Sequence, residues 1–206
     1  YSFKTIERNN DWKDNKTLHA SGLVTSPNSA WVHYNYAIDF GKKADESTNI
    51  NEKNESAKIA LREYQKCIDI NPDFFIAYYE MGVIYTSIKD NDSAVKMYKK
   101  VLVLKPDFAE ALYNYGMILF IEKDYKTSLE FFKNATVSNP KLSKALLGVG
   151  ACYRNLNDYK NAIIYFEKAL HLVPANFDLM RNLTILYTNI GDTAKANYYS
   201  SQASLH

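Results

Sequence analysis

The chain has 206 residues, with 25 Lys or Arg against 23 Asp or Glu and a formal net charge of +2. Charges of both signs are spread along it, which leaves no basic footprint for nucleic acid or an anionic membrane. No run reaches the roughly 18 to 20 apolar residues that cross a bilayer, so the segment reads as soluble. A hydrophobic fraction of 47%, with 17 Tyr and 10 Phe, is bulk enough for a continuous core. The chain starts at Tyr1 without a signal-peptide pattern and reads as a piece of something longer.

In chain order, residues 1–27 form an N-terminal segment in which Leu18 and Leu23, ahead of Pro27, predict one helix from about Asn15 to Val24. Residues 28–74 predict two helices, near 28–42 and 56–70. Tyr34-Asn35-Tyr36-Ala37 mirrors Tyr113-Asn114-Tyr115-Gly116, and Ala60, Tyr64 and Cys67 precede Pro72. Between those helices a polar stretch at about 44–55 has too little apolar surface to offset ordering, and is expected to be a mobile inserted loop. Four further two-helix segments follow at 75–108, 109–142, 143–176 and 177–206, the last with a more polar, capping character.

Pro72, Pro106, Pro140 and Pro174 recur every 34 residues. The same physical tasks recur between them. Gly82, Gly116 and Gly150 leave room for the partner helix, and Ala94, Ser128, Ala162 and Ala196 supply its small position. Tyr98, Phe132 and Phe166 fill the space between helices at helical spacing, and each proline then stops the second helix. This period and pattern resemble the tetratricopeptide repeat (TPR). The resemblance implies an all-α fold, a right-handed superhelical solenoid of helix pairs that binds protein or an extended peptide.

A second resemblance rests on the N-terminal run Thr5-Ile6-Glu7-Arg8-Asn9-Asn10-Asp11-Trp12, with Leu18, Ser21-Gly22-Leu23, Pro27-Asn28-Ser29-Ala30 and His33-Tyr34-Asn35. It is similar to the start of the repeat region in the transmembrane and TPR-containing (TMTC) family of endoplasmic-reticulum protein O-mannosyltransferases. That likeness implies a lumenal TPR region that recruits acceptor protein, with catalysis in a membrane region absent from this chain. The family's acidic catalytic residues have no counterpart here, and the insertion after Gly41 and Trp31 depart from its pattern. The alternative is a TPR scaffold subunit of a stable assembly, cytoplasmic and without glycosyl transfer.

No residue set here suggests catalysis. His19, His33, His171 and His206 have no metal-ligand spacing, and there is no phosphate-binding loop or nucleophile motif, so no cofactor or metal is expected. Cys67 and Cys152 read as small buried hydrophobes.

In TPR arrays the first helix of each pair lines the concave side, with positions 2, 5, 6, 9 and 12 facing inward. Those positions make Tyr34, Asn35, Tyr79, Tyr113, Asn114, Phe120, Arg154, Arg181 and Asn182 the candidate peptide-binding residues. Amides there can bond an extended backbone and tyrosines offer amphipathic contact. The lysine and asparagine set that clamps chaperone tails is not reproduced. Of five Asn-x-Ser/Thr sequons, Asn54 in the insertion and Asn91 in a helix turn are the expected N-glycosylation acceptors.

Overall fold

Eleven α-helices and no strand occur among the residues that the computed structural model describes, 15–204. The run Thr5–Trp12, with the rest of residues 1–14, lies outside them. In chain order the helices are α1 (Asn15–Thr25), α2 (Ala30–Glu46), α3 (Ile50–Ile70), α4 (Phe75–Ser87), α5 (Asn91–Leu104), α6 (Ala109–Ile121), α7 (Tyr125–Ser138), α8 (Ser143–Asn155), α9 (Tyr159–Leu172), α10 (Phe177–Asn189) and α11 (Thr193–Ala203). They group into two compact units, one up to Lys105 with α1–α5 and one from Pro106 with α6–α11.

In the first unit α2 pairs with α3 and α4 with α5, while α1 packs on α2 and α3 on α4. In the second the pairs are α6 with α7, α8 with α9 and α10 with α11, joined by α7 on α8 and α9 on α10. α3 and α9, for example, each present one apolar stripe, which is buried against neighbouring helices of the same unit.

Four of the turns inside pairs repeat one piece of backbone chemistry. Lys89, Lys123, Asn157 and Gly191 stand 34 residues apart and all adopt positive φ, at 65, 66, 62 and 81°. At the first turn the Lys89 amide donates to the Thr86 carbonyl and the Asp90 amide to that of Tyr85. Those are the paired bonds of a Schellman ending. Asp90 then caps α5 by accepting from the Ser93 amide at 3.1 Å, and Asp124, Asp158 and Asp192 cap α7, α9 and α11 in the same way. A two-residue step therefore ends one helix and starts the next.

The close approach inside pairs requires glycine. A Cβ on Gly150 would stand 2.5 Å from the ring of Phe166, a distance side chains do not tolerate. Gly82 and Gly116 meet Tyr98 and Phe132 at 2.6 and 2.9 Å. Tyr98, Phe132 and Phe166 are buried, each removing apolar surface worth about 1.5–3 kcal/mol. Both cysteines are free and buried, and burial pushes the Cys67 thiol up to about 11.

The insertion is helical, which corrects the expectation of a mobile loop at 44–55. Residues up to Glu46 prolong α2, only Ser47–Asn49 form a turn, and α3 is 21 residues long. Asn49 Oδ1 accepts from the amides of Asn51 and Glu52 at 3.0 and 3.4 Å, capping α3. Ser47 donates to Glu52 at 3.0 Å and Lys43 pairs with it at 2.9 Å. Ala44, Ser56 and Ala57 are buried. Small side chains, rather than large apolar ones, let the two prolonged helices touch, so an apolar count undervalued the stretch.

The same pair holds a buried ion pair. His33 Nδ1 lies 2.8 Å from Glu63 Oε2 and Nε2 lies 2.8 Å from the Pro27 carbonyl. Both partners are acceptors, so both bonds form when the ring carries two protons. Glu63, 1% exposed, also accepts from Arg62 and Lys66 at 3.0 and 3.1 Å. Burial pushes its carboxyl up, and the bonds from His33, Lys66 and Arg62 more than reverse that, leaving it below the ordinary carboxylate value.

Candidate polypeptide-binding site

On α6 the apolar positions recur every three or four residues, bringing Tyr113, Met117 and Phe120 onto one face. Across from them stand Lys144, Leu147, Gly148 and Ala151 of α8. With Phe132 of α7 as its floor, these residues line an open, largely apolar recess of about 210 Å³. A Cβ on Gly148 would come within 2.7 Å of the Phe132 ring, so glycine there keeps the floor in place.

The Tyr113 ring is half-buried and tilted on Phe132, with centroids 5.6 Å apart. Burial raises its hydroxyl pKa. Lys144 Nζ lies 4.5 Å from the centroid of the Tyr113 ring, a cation–π contact worth about 0.5–1 kcal/mol at an exposed position. Phe120 meets Tyr125 edge-on at 5.2 Å. The recess thus offers aromatic and aliphatic surface with a cation at its rim, suited to an apolar side chain on a segment that also carries negative charge.

Asn114 is half-buried beside Tyr113 on α6. Arg154 of α8 donates from Nη1 to Oδ1 of Asn182 on α10 at 2.8 Å, and the Asn182 amide donates to the Asp178 carbonyl at 3.0 Å. These two side chains therefore hold each other across neighbouring first helices. Arg181 is exposed and pairs with Asp178 at 2.7 Å.

In the first unit, Asn35 on α2 and Tyr79 on α4 are half-buried. The Tyr79 ring centroid lies 6.3 Å from that of Tyr98. Tyr34 is 8% exposed and packs against Tyr64 and Phe74 at centroid distances of 5.8 and 5.1 Å. That burial corrects its assignment to a binding surface: Tyr34 is a core residue, and its hydroxyl is pushed up to about 12 by burial, with Glu80 and Cys67 adding to the effect. Asn54 lies exposed on α3 rather than on a loop, with Ser56 of its sequon buried. Asn91 is the first residue of α5.

Leu147 and Gly148 read from sequence as inward positions 5 and 6 without being made candidates, and Met117, Lys144 and Ala151 are not singled out. They stand at positions 9 of α6 and 2, 5, 6 and 9 of α8, so the inward-position rule, carried through every position, reaches all of them.

The fold defines an all-helical protein of packed two-helix repeats. The chain carries tetratricopeptide repeats: that family matches residues 143–176, and also 76–108 and 109–141. It is a protein-binding TPR domain. The solved structure of MamA is 22% identical, covers 76% of this chain and 94% of its own, and has a TM-score of 0.67. YrrB, described as a TPR protein with an unusual peptide-binding site, is 20% identical over 90% of each chain, with a TM-score of 0.71. The structure from Pseudomonas aeruginosa pilF is 18% identical, covers 96% of this chain and 84% of its own, and has a TM-score of 0.76. These identities speak for the fold. Protein O-mannosyl-transferase tmtc2 of Xenopus laevis is 37% identical over 49 residues, 24% of this chain and 6% of that protein's length. Among the described residues no helix is long and apolar enough to cross a membrane.

Proposed function

We propose that this domain holds an extended polypeptide along the first helices of its second unit, α6, α8 and α10, with an apolar side chain of the ligand seated in the recess of α6 and α8. The observation that carries this reading is that recess: Tyr113, Met117, Phe120 and Leu147 leave apolar surface open beside Lys144 instead of closing it into the core. Asn114 supplies an amide next to the anchor, and Arg154 and Asn182 continue the polar face on α8 and α10.

On the finer level, the domain is the lumenal, acceptor-recruiting part of a TMTC-like protein O-mannosyltransferase of the endoplasmic-reticulum membrane. The stretch shared with the Xenopus laevis protein supports this, together with the N-terminal resemblance. The lumenal location is tested on the native protein: glycan at Asn91 or Asn54 supports it, and complete absence of glycan with the sites accessible argues for the cytoplasm.

The binding reading is tested with peptides selected from a displayed random library. Losing an aromatic anchor at the centre of an interface commonly costs about 2 kcal/mol or more. Tyr113→Ala combined with Asn114→Ala therefore weakens the selected peptides at least ~10-fold with helicity intact. Ala151→Leu, which fills the recess without removing a contact, does the same. Unchanged affinity in both folded variants contradicts the reading.

A further inference from the structure

A second recess, of about 240 Å³, lies in the first unit and is lined by Ile38, Gly41, Lys42 and Asp45 of α2, Tyr64 of α3, and Glu80, Val83 and Ile84 of α4. Its chemistry is the opposite of the recess on α6 and α8. Glu80 is half-buried and forms no ion pair or hydrogen bond with the described residues, unlike Glu63. Asp45 stands close enough to raise the Glu80 pKa, in addition to the larger effect of burial. Asp45 is there because the insertion prolongs α2 by a turn.

Tyr64 is 1% exposed, lines the recess, and its hydroxyl makes no hydrogen bond among the described residues. A Cβ on Gly41 would sit 3.8 Å from that hydroxyl and 3.9 Å from Ile84 Cδ1, so the missing side chain keeps the space between them open. Lys42, exposed at the rim, forms no ion pair with either carboxylate. The Tyr64 hydroxyl, on a side chain otherwise buried and lining the recess, has no partner among the described residues, and with the two carboxylates it forms a set that can accept from one donor group.

We propose that this recess is a subsite for a lysine side chain of a polypeptide ligand. Ile38, Val83 and Ile84 flank the four-carbon stem, and the ammonium's three donors meet Glu80, Asp45 and the Tyr64 hydroxyl. A metal ion is the poorer fit, since among the described residues no group of three or more His, Cys, Asp or Glu comes together. The proposal rests on the polypeptide-binding reading and names the chemistry of one ligand residue.

The test is an NMR titration of the full chain with Nα-acetyl-lysine N-methylamide, and with the norleucine analogue that lacks the ammonium. The lysine probe is expected to shift the amide signals of Gly41 and Glu80 with affinity on the order of millimolar, and the norleucine probe is not. Glu80→Gln, which removes an unpaired carboxylate without changing its shape, weakens the lysine probe at least ~10-fold. Asp45→Asn weakens it less, and Tyr113→Ala with Asn114→Ala leaves it unchanged. Equal shifts from both probes, equal binding by methylammonium, or full binding in folded Glu80→Gln would each overturn the lysine subsite. The two readings fail separately. Selected peptides with no lysine preference overturn this subsite alone, whereas failure to select any peptide overturns polypeptide binding while the lysine probe still decides the recess.

Discussion

The two units differ in how far they obey the repeat. From Pro106 onward the pairs are near copies: turns with positive φ at Lys123, Asn157 and Gly191, an aspartate cap after each, and, in the first two pairs, an aromatic ring against glycine. In the unit up to Lys105 the pair of α2 and α3 breaks the pattern. It is longer, turns through Ser47–Asn49, and carries the His33–Glu63 pair and the recess with Asp45 and Glu80. The regular unit carries an apolar recess and the irregular one an acidic recess. Departure from the consensus is where added chemistry enters a repeat fold.

The largest expected effect is at the ion pair. Glu63→Gln removes the buried carboxylate that accepts from His33, Arg62 and Lys66, and breaking such a buried network costs about 3 kcal/mol. Glu63 has a lowered pKa in the fold. Its contribution is therefore present above the ordinary carboxylate pKa and is lost as pH falls through the lower folded value. Urea unfolding of wild type and Glu63→Gln should differ at neutral pH and converge in acid. A constant gap across that range would show that the residue acts through packing alone.

Next comes the insertion. Ala57 is 2% exposed where α2 and α3 touch, so Ala57→Leu overpacks the contact and costs about 2 kcal/mol. A thermal melt that does not move would restore the mobile-loop expectation. The smallest effect belongs to Glu80, whose pKa is raised by burial and by Asp45. Stability from that group is full below the ordinary carboxylate pKa and declines as pH rises through the raised value. Glu80→Gln should thus stabilise the chain at neutral pH, by an amount that vanishes in acid, the reverse of Glu63→Gln. Stabilisation that persists in acid would point to a packing effect instead.

Much of the fold is legible in sequence because the repeat writes the same tasks every 34 residues: the prolines, the packing glycines and the Tyr98, Phe132 and Phe166 fillers all occupy the places their spacing implies. The insertion was not legible from apolar content, because its contacts are made by Ala44, Ser56 and Ala57. A finer signal was present in Asn49 with Glu52 three residues on, a capping pattern at the start of α3. Of the site, Tyr113 and Phe120 follow from helical position. Tyr34 shares Tyr113's place in the repeat yet is buried, because Tyr64 and Phe74 close over it. That difference lies in neighbours from other helices, which periodicity does not display. Glu80 stands at inward position 6 of its repeat, but the recess it shares with Tyr64 was not legible, since it exists only once α2 is prolonged to Asp45.

The most direct measurement is a crystal structure of the chain bound to a peptide selected against it. The account predicts an apolar ligand side chain between Tyr113, Phe120 and Leu147, with the peptide backbone passing Asn114. A peptide seated instead on second helices or on the turns, with the recess of α6 and α8 empty, would contradict it.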